Sequence, residues 1–308
     1  MIVLKDLSQI AIPQDRSIVV TIGNFDGVHS GHQKFIKSVL EECCRNNQLL
    51  LVITFNPHPK SILNDSKGFL LNEYSDKVQY FEMLEVDYYH ELKFSKTISK
   101  LNAKDFIEKY ILSKINVSAF YLGYDFACGF NKHGTKAFFE EYCRLRNIDL
   151  HILEEFQTGM GNVSSSMIRK KVQEGEIDKV NRLLRRDFFI RGTVVKGEGR
   201  GRKMGYPTAN ISYDDEIITP QKGVYVSRTE YENCLYHSIT NVGSKPTFHE
   251  NHHLSIETHL LKFEKFIYGE RLKVYFLRKL RNEIKFGSQN ELRAQIDRDL
   301  AAAKSFFL

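Results

Sequence analysis

Thr21-Ile22-Gly23-Asn24-Phe25-Asp26-Gly27-Val28-His29-Ser30-Gly31-His32 is the stretch on which the reading of this chain turns. It follows an apolar run at residues 18–22 and opens a segment of helical periodicity at 32–44. Gly23 and Gly27 permit tight turns and a close approach of backbone to ligand. A helix starting near Gly31 aims its free N–H groups and the positive end of its dipole at whatever fills the loop, which favours phosphate. His29 and His32 stand three apart at that start, so both imidazoles can face one ligand. A lone histidine at a helix start is ordinary surface chemistry. An HxGH set between a glycine-flanked strand end and a helix is much rarer. No further His, Cys or carboxylate follows at zinc-ligand spacing.

Outward from this stretch, the first half alternates short apolar runs with helical periodicity. Strands are expected at 18–22, 49–55, 118–122 and 150–153, with helices at 32–44, 103–112 and 135–146. Such alternation implies a parallel sheet with right-handed crossovers, and ligands then gather at the carboxyl ends of the strands. After about residue 187 the texture changes to strand-like runs in quick succession, at 188–195, 224–228, 237–240, 254–261 and 273–276. Lys222-Gly223, Tyr268-Gly269 and the glycines of 197–205 separate them. Many short strands without helices between them suggest a small β-barrel. Leu292, Ile296, Leu300 and Ala303 mark a closing helix, and short helices across 165–186 join the halves.

Composition limits the function classes. Of 308 residues 42% are hydrophobic and 27% charged, as in a soluble globular protein. The start of the chain shows no basic segment leading into a long apolar run, and no stretch is apolar enough to span a membrane. The five cysteines are odd in number, and Cys43 and Cys44 are adjacent, which fits free thiols in the cytoplasm. The net charge of +6 is modest and suits nucleotides. No basic stripe interleaved with aromatics argues for nucleic acid. Neither membrane nor nucleic-acid partners are expected, and the chain is expected to be a monomer or a weak homo-oligomer.

Three further stretches of the first half bear on one family. Thr54-Phe55-Asn56-Pro57-His58-Pro59 and Gly123-Tyr124-Asp125-Phe126 each follow a strand. Ser164-Ser165-Ser166-Met167-Ile168-Arg169 places two hydroxyls at a helix start and a cation one turn later. Alone, that last stretch reads rather as an N-cap with a solvated arginine. Together with GxFDGxHxGH, these segments resemble the FMN adenylyltransferase half of bacterial bifunctional riboflavin kinase/FAD synthetases. The resemblance implies ATP binding by Gly23, Phe25, Gly27, His29, His32, Asp125, Ser165, Ser166 and Arg169, and flavin binding by Asn56, Pro57, His58 and Pro59. His29, His32 and Arg169 would stabilise charge on the transferring phosphate, with Mg²⁺ shared by the phosphates. The chain departs from the family pattern at Ala127-Cys128, at 132–135, at Asn162 and at Ser166. Ser166 keeps the hydroxyl of the family's Thr, and the cations lost elsewhere bear on ATP affinity more than on reaction type.

The second half opens with Gly192-Thr193-Val194-Val195-Lys196-Gly197-Glu198-Gly199-Arg200-Gly201-Arg202-Lys203-Met204-Gly205-Tyr206-Pro207-Thr208-Ala209-Asn210. The glycine spacing is neither a Walker loop nor a dinucleotide fingerprint. As a bare pattern it fits a solvated loop. Its Gly-Tyr-Pro-Thr-Ala-Asn resembles the PTAN motif of riboflavin kinases, whose fold is a six-stranded barrel. The resemblance implies ATP binding by Gly197, Gly199, Gly201, Lys203, Thr208 and Asn210, and Mg²⁺ on Thr208 and Asn210, hard oxygen ligands expected on one face of a strand. Asn241-Val242-Gly243-Ser244-Lys245-Pro246-Thr247-Phe248 and Ile256-Glu257-Thr258-His259 continue the match. Glu257 takes the position of the base, and Arg281, Phe286 and Glu291 are flavin-pocket candidates. His259 alternates onto the face of Glu257, so face analysis alone cannot separate the two.

The expected architecture is therefore α/β. A Rossmann-like FMN adenylyltransferase domain with a parallel sheet spans 1–182, and a six-stranded β-barrel riboflavin kinase domain ending in a helix spans 183–308. The substrates would be riboflavin, FMN and ATP, with FMN and FAD as products. Two alternatives are a nucleotidylyltransferase for another substrate, in which the PTAN half has no place, and a non-catalytic flavin-binding regulator, which loss of the motif residues would favour. None of those residues is lost.

Overall fold

The computed structural model describes residues 1–308 except 155–156, 159–160, 198 and 245–253. It divides into two compact units, one of residues 1–66 and 73–164, the other of 67–72 and 165–308. The sequence-based boundary at 182/183 falls inside the second unit.

The first unit carries β1 (Ile2–Leu4), β2 (Ser17–Ile22), α1 (Ser30–Arg45), β3 (Gln48–Asn56), α2 (Pro59–Asn64), α3 (Tyr74–Met83), β4 (Tyr88–Lys93), α4 (Ala103–Ile107), β5 (Ala119–Gly123), α5 (Lys136–Arg146) and β6 (Asp149–Leu153). A short pair, β7 (Gln157–Thr158) and β8 (Gly161–Asn162), follows. The six-stranded sheet has the order β1-β4-β3-β2-β5-β6, and all its pairings are parallel. Apolar residues run almost unbroken along β2 and β3 because both faces are covered. Ile18, Val20, Ile22, Leu51 and Ile53 pack on one face with Phe106 and Phe139. Val19, Leu50 and Val52 pack on the other with Ile36, Val39 and Phe81. Each such buried side chain contributes about 1.5–3 kcal/mol. Chain order reverses at β2, which lies between β3 and β5. That reversal opens a crevice at the carboxyl ends of β2 and β5, where the HxGH and Gly123–Asp125 loops emerge.

The second unit carries α6 (Ser165–Glu174), α7 (Ile177–Leu184), β9 (Phe188–Val195), α8 (Arg200–Lys203), β10 (Ala209–Tyr213), β11 (Gly223–Tyr231), β12 (Cys234–Ser244), β13 (Leu254–Leu260), β14 (Arg271–Arg281) and α9 (Gln289–Phe306). The strands close into an antiparallel six-stranded barrel, β10-β13-β12-β11-β14-β9. α7 buries Ile177, Val180, Leu183 and Leu184. α9 buries Ala303 against Val226 and Leu277 on the outer barrel face. Alternation along the strands sends Ser227, Thr229, Ser238, Thr240 and Thr258 into the barrel, each fully buried. Their hydroxyls join in a closed cycle, Ser227–Ser238 at 2.8 Å, Ser238–Thr229 at 2.8 Å, Thr229–Thr258 at 3.2 Å, Thr258–Thr240 at 3.0 Å and Thr240–Ser227 at 2.7 Å. A hydroxyl donates one hydrogen bond and accepts others, so a five-membered cycle satisfies every member in one rotational sense.

Candidate functional sites

In the first unit α1 begins at Ser30 with His29 as its N-cap, and His29 Nδ1 accepts the His32 N–H at 3.3 Å. That bond leaves the His29 proton on Nε2, free of the cap. The His32 ring stacks on His29 with centroids 3.6 Å apart, and the Phe25 edge meets His32 at 5.2 Å. The Phe25 ring lies over Gly23, where a Cβ would stand 2.9 Å from it. Gly27 takes φ +79°, a conformation that excludes most side chains. Burial, the neighbouring His29 and the Lys77 ammonium hold the His32 pKa well below the usual histidine range. Its Nδ1 is buried without a hydrogen-bond partner. His32 therefore presents a neutral imidazole beside a helix N-terminus, able to donate to a phosphate without fixing a salt bridge.

The loop after β3 is shaped by neighbours that sequence reasoning did not single out. Asn56 Nδ2 donates to Glu91 Oε2 at 2.9 Å, and the Asn56–Pro57 bond is cis. His58 is the N-cap of α2, its Nδ1 accepting the Lys60 N–H at 3.1 Å and its own N–H donating to the Tyr74 hydroxyl at 2.7 Å. Pro59 occupies the first turn of α2, where its missing N–H costs nothing. Asp125 is exposed beyond the end of β5. Ser165, Ser166 and Arg169 open α6 in the second unit. Arg169 Nε donates to the Phe69 carbonyl at 2.7 Å, with the guanidinium over the Phe69 ring.

Lys77 is the largest omission of the sequence reading. It is 3% exposed, and its Nζ donates to the Asn24 carbonyl at 3.1 Å and to Thr54 Oγ1 at 3.3 Å. Burial lowers its pKa, while Asp26 and Glu91 work to raise it. One signal was available: Glu73 and Asp76 form a capping box that announces α3.

In the second unit, Asn210 pairs in register with Glu257, and Glu257 with Asn241, so the three stand in one row across β10, β13 and β12. Each is half-buried, on the face opposite the hydroxyl cycle. Thr208 immediately precedes β10 rather than lying in it. The glycine-rich loop presses on this row. A Cβ on Gly197 would lie 2.2 Å from Asn210 Nδ2, and one on Gly201 3.4 Å from Thr208 Oγ1. Gly199 starts α8 with φ +70°. The Lys203 side chain and residues 245–248 lie outside the described residues. His259 Nδ1 is held by the Pro207 carbonyl at 2.7 Å. The Tyr206 hydroxyl donates to Asp297 at 2.5 Å and so ties the Thr208 loop to α9.

The flavin-pocket candidates are tied down individually. Arg281 forms a bidentate pair with Asp299, Nη2 to Oδ2 at 2.7 Å and Nε to both oxygens at 3.0 Å. Glu291 Oε2 accepts the Gly287 N–H at 3.0 Å. Both fix the segment carrying Phe286, which is half-buried and lies 6.0 Å by ring centroid from the Arg281 guanidinium.

The comparisons follow this division. A family model described as FAD synthetase matches residues 11–167, and one described as riboflavin kinase matches residues 184–307. Curated proteins named bifunctional riboflavin kinase/FMN adenylyltransferase align with nearly the whole chain. The Bacillus subtilis protein is 34% identical, over 94% of this chain and 92% of its own. This chain belongs to the bifunctional riboflavin kinase/FMN adenylyltransferase family. The Buchnera aphidicola member is 35% identical, over 94% of this chain and 93% of its own. A solved structure described as a macrolide-efflux protein from Streptococcus pneumoniae shares the family fold, with 28% identity, 98% of each chain covered and a TM-score of 0.85. Among the described residues no helix is long and apolar enough to cross a membrane.

Proposed function

We propose that the chain phosphorylates riboflavin with ATP to give FMN, then joins FMN to the adenylyl group of a second ATP, giving FAD and pyrophosphate. What carries this reading is the presence, in separate units, of a histidine pair at the sheet's topological reversal and an Asn210–Glu257–Asn241 row under a glycine-rich loop. In the barrel Glu257 accepts the proton of the ribityl 5′-hydroxyl as that oxygen attacks the γ-phosphorus of ATP in line, and the bond from that phosphorus to the bridging oxygen breaks, releasing ADP. Thr208 and Asn210 would supply hard oxygens for Mg²⁺, and the close approach of Gly197 to Asn210 fits a site where phosphate and side chain meet. Bound there, Mg²⁺ would neutralise phosphate charge.

In the first unit the FMN phosphate oxygen attacks the α-phosphorus of ATP and the bond to pyrophosphate breaks, with no covalent enzyme intermediate. His29 and His32 donate to the phosphate oxygens, and the α1 N-terminus adds its dipole. Ser165, Ser166 and Arg169 are assigned to the triphosphate, and Asn56, Pro57, His58 and Pro59 to the flavin. Cytoplasmic location and a monomer or weak homo-oligomer complete the reading.

The test follows flavins over time with purified protein, riboflavin, ATP and Mg²⁺. Wild type should pass riboflavin through FMN to FAD, and excess EDTA should stop both steps. Glu257→Gln should lower FMN formation by about 10²–10⁴-fold while FAD formation from supplied FMN persists. His32→Ala should do the reverse, with a loss of about 10²–10³. Equal loss of both activities in either folded variant would refute the separate assignment.

A further inference from the structure

Lys77 stands outside every motif that the sequence displays, yet it is among the most deeply buried charges in the first unit. A dry ammonium is costly unless it is hydrogen-bonded and paired. Its two acceptors are themselves linked, because the Thr54 hydroxyl donates to the same Asn24 carbonyl at 3.1 Å. Asn24 is thus gripped from two sides at a point where the backbone is strained. Phe25, the next residue, has φ +46°, and Val28 has φ +37°, an outlier for a β-branched side chain. Such strain persists only where the surroundings over-determine it.

The same turn of α3 reaches the other substrate loop. Tyr74, three residues before Lys77, accepts the His58 N–H. The Asn56 amide is held by Glu91, whose carboxylate faces the Lys77 charge. One helical turn therefore braces the loop after β2 and the loop after β3 together.

We propose that Lys77 is a positioning residue for adenylyl transfer, holding the nucleotide loop and the flavin loop in the mutual geometry that aligns the FMN phosphate with the α-phosphorus of ATP. It acts through Asn24 and Thr54. The inference rests on the adenylyltransferase reading of the first site.

The test is Lys77→Met in the full chain, which keeps the length of the stem and removes the charge. Misplacement of a reacting group by about 1 Å costs on the order of 10²-fold, so kcat for FAD formation from supplied FMN should fall by about that factor. KM for ATP and for FMN should each stay within about threefold, because ground-state binding is not what Lys77 provides. Riboflavin phosphorylation should match wild type, and the retained KM values for ATP and FMN serve as the control for folding of the first unit. A kcat within about threefold of wild type, or a rise in both KM values with kcat intact, would overturn the proposal. Should Lys77→Met prove insoluble, Thr54→Val removes the linking hydroxyl at constant shape. It should lower kcat about tenfold, in the same pattern, since one link of the brace is lost; an unchanged kcat there also overturns it. Wild-type protein that forms no FAD from FMN would defeat the adenylyltransferase reading itself, before any variant is compared.

Discussion

At the scale of single residues, the first site is governed by burial rather than by charge count. The His32 pKa is held well below the usual histidine range because burial, with its Nδ1 shut from water, disfavours the charged ring beside His29 and Lys77. This has a consequence for stability. The unfolded chain takes up a proton on His32 near the ordinary histidine pKa of about 6.5, whereas the folded chain does so only well below it. Between those values the unfolded state binds more protons, so stability falls as pH drops through 6.5 and towards the folded pKa. Above 6.5 both states are neutral and the contribution vanishes. Melting temperatures of wild type and His32→Gln across pH 4.5–8 should converge at the alkaline end and separate at the acid end, with wild type losing more. Parallel curves would mean that His32 is not desolvated in the folded chain. Lys77 and His259 teach the same lesson from opposite directions. A lysine on a helix reads as surface and proves buried. A histidine that shares a face with Glu257 proves committed to the Pro207 carbonyl.

At the scale of elements, alternation predicted the strands better than it predicted what they bury. β11, β12 and β13 place serines and threonines where a barrel ordinarily places aliphatics, and the cost is met by the closed hydroxyl cycle. Thr240→Val keeps the shape and removes one hydroxyl with its two bonds, leaving Ser227 and Thr258 each short of a partner in a dry interior. The barrel should lose about 1–3 kcal/mol in denaturant unfolding. An unchanged midpoint would mean that the cycle opens without penalty, through water or backbone acceptors. β1, α2, α3 and β4 escaped the sequence reading for related reasons. β4 reads Tyr-Tyr-His-Glu-Leu-Lys, with His90 buried against the Leu4 carbonyl and Glu91 engaged by Asn56 and Tyr89. A parallel strand that spends its polar residues on specific partners shows no apolar run to count.

At the scale of the whole molecule, α6 and α7 belong by their contacts to the unit that holds the barrel. α7 buries four apolar side chains and packs on β9 and β14. Residues 67–72 join the second unit through Gly68, Phe69 and Leu70 N–H bonds to the Asp215 and Glu216 carbonyls. A fragment starting at Leu183 discards Ile177 and Val180, each worth about 1.5–3 kcal/mol of burial. Fragment 165–308 should therefore unfold at clearly higher denaturant than 183–308, and both should be assayed for riboflavin phosphorylation. Equal stability would place α7 outside the folding unit.

The sequence by itself determined the family, through its HxGH and Gly-Tyr-Pro-Thr-Ala-Asn stretches, and most of the strands, because those rest on local order: a strand end, a helix start, a two-residue alternation. Tertiary structure alone decided that Asn210, Glu257 and Asn241 form one row, since register across three strands is set by pairing and not by any one of them. It likewise decided that the Lys77 ammonium meets the Asn24 carbonyl and the Thr54 hydroxyl, 53 and 23 residues away in sequence. A buried charge is recognised only by its partners, and its partners are brought to it by the fold.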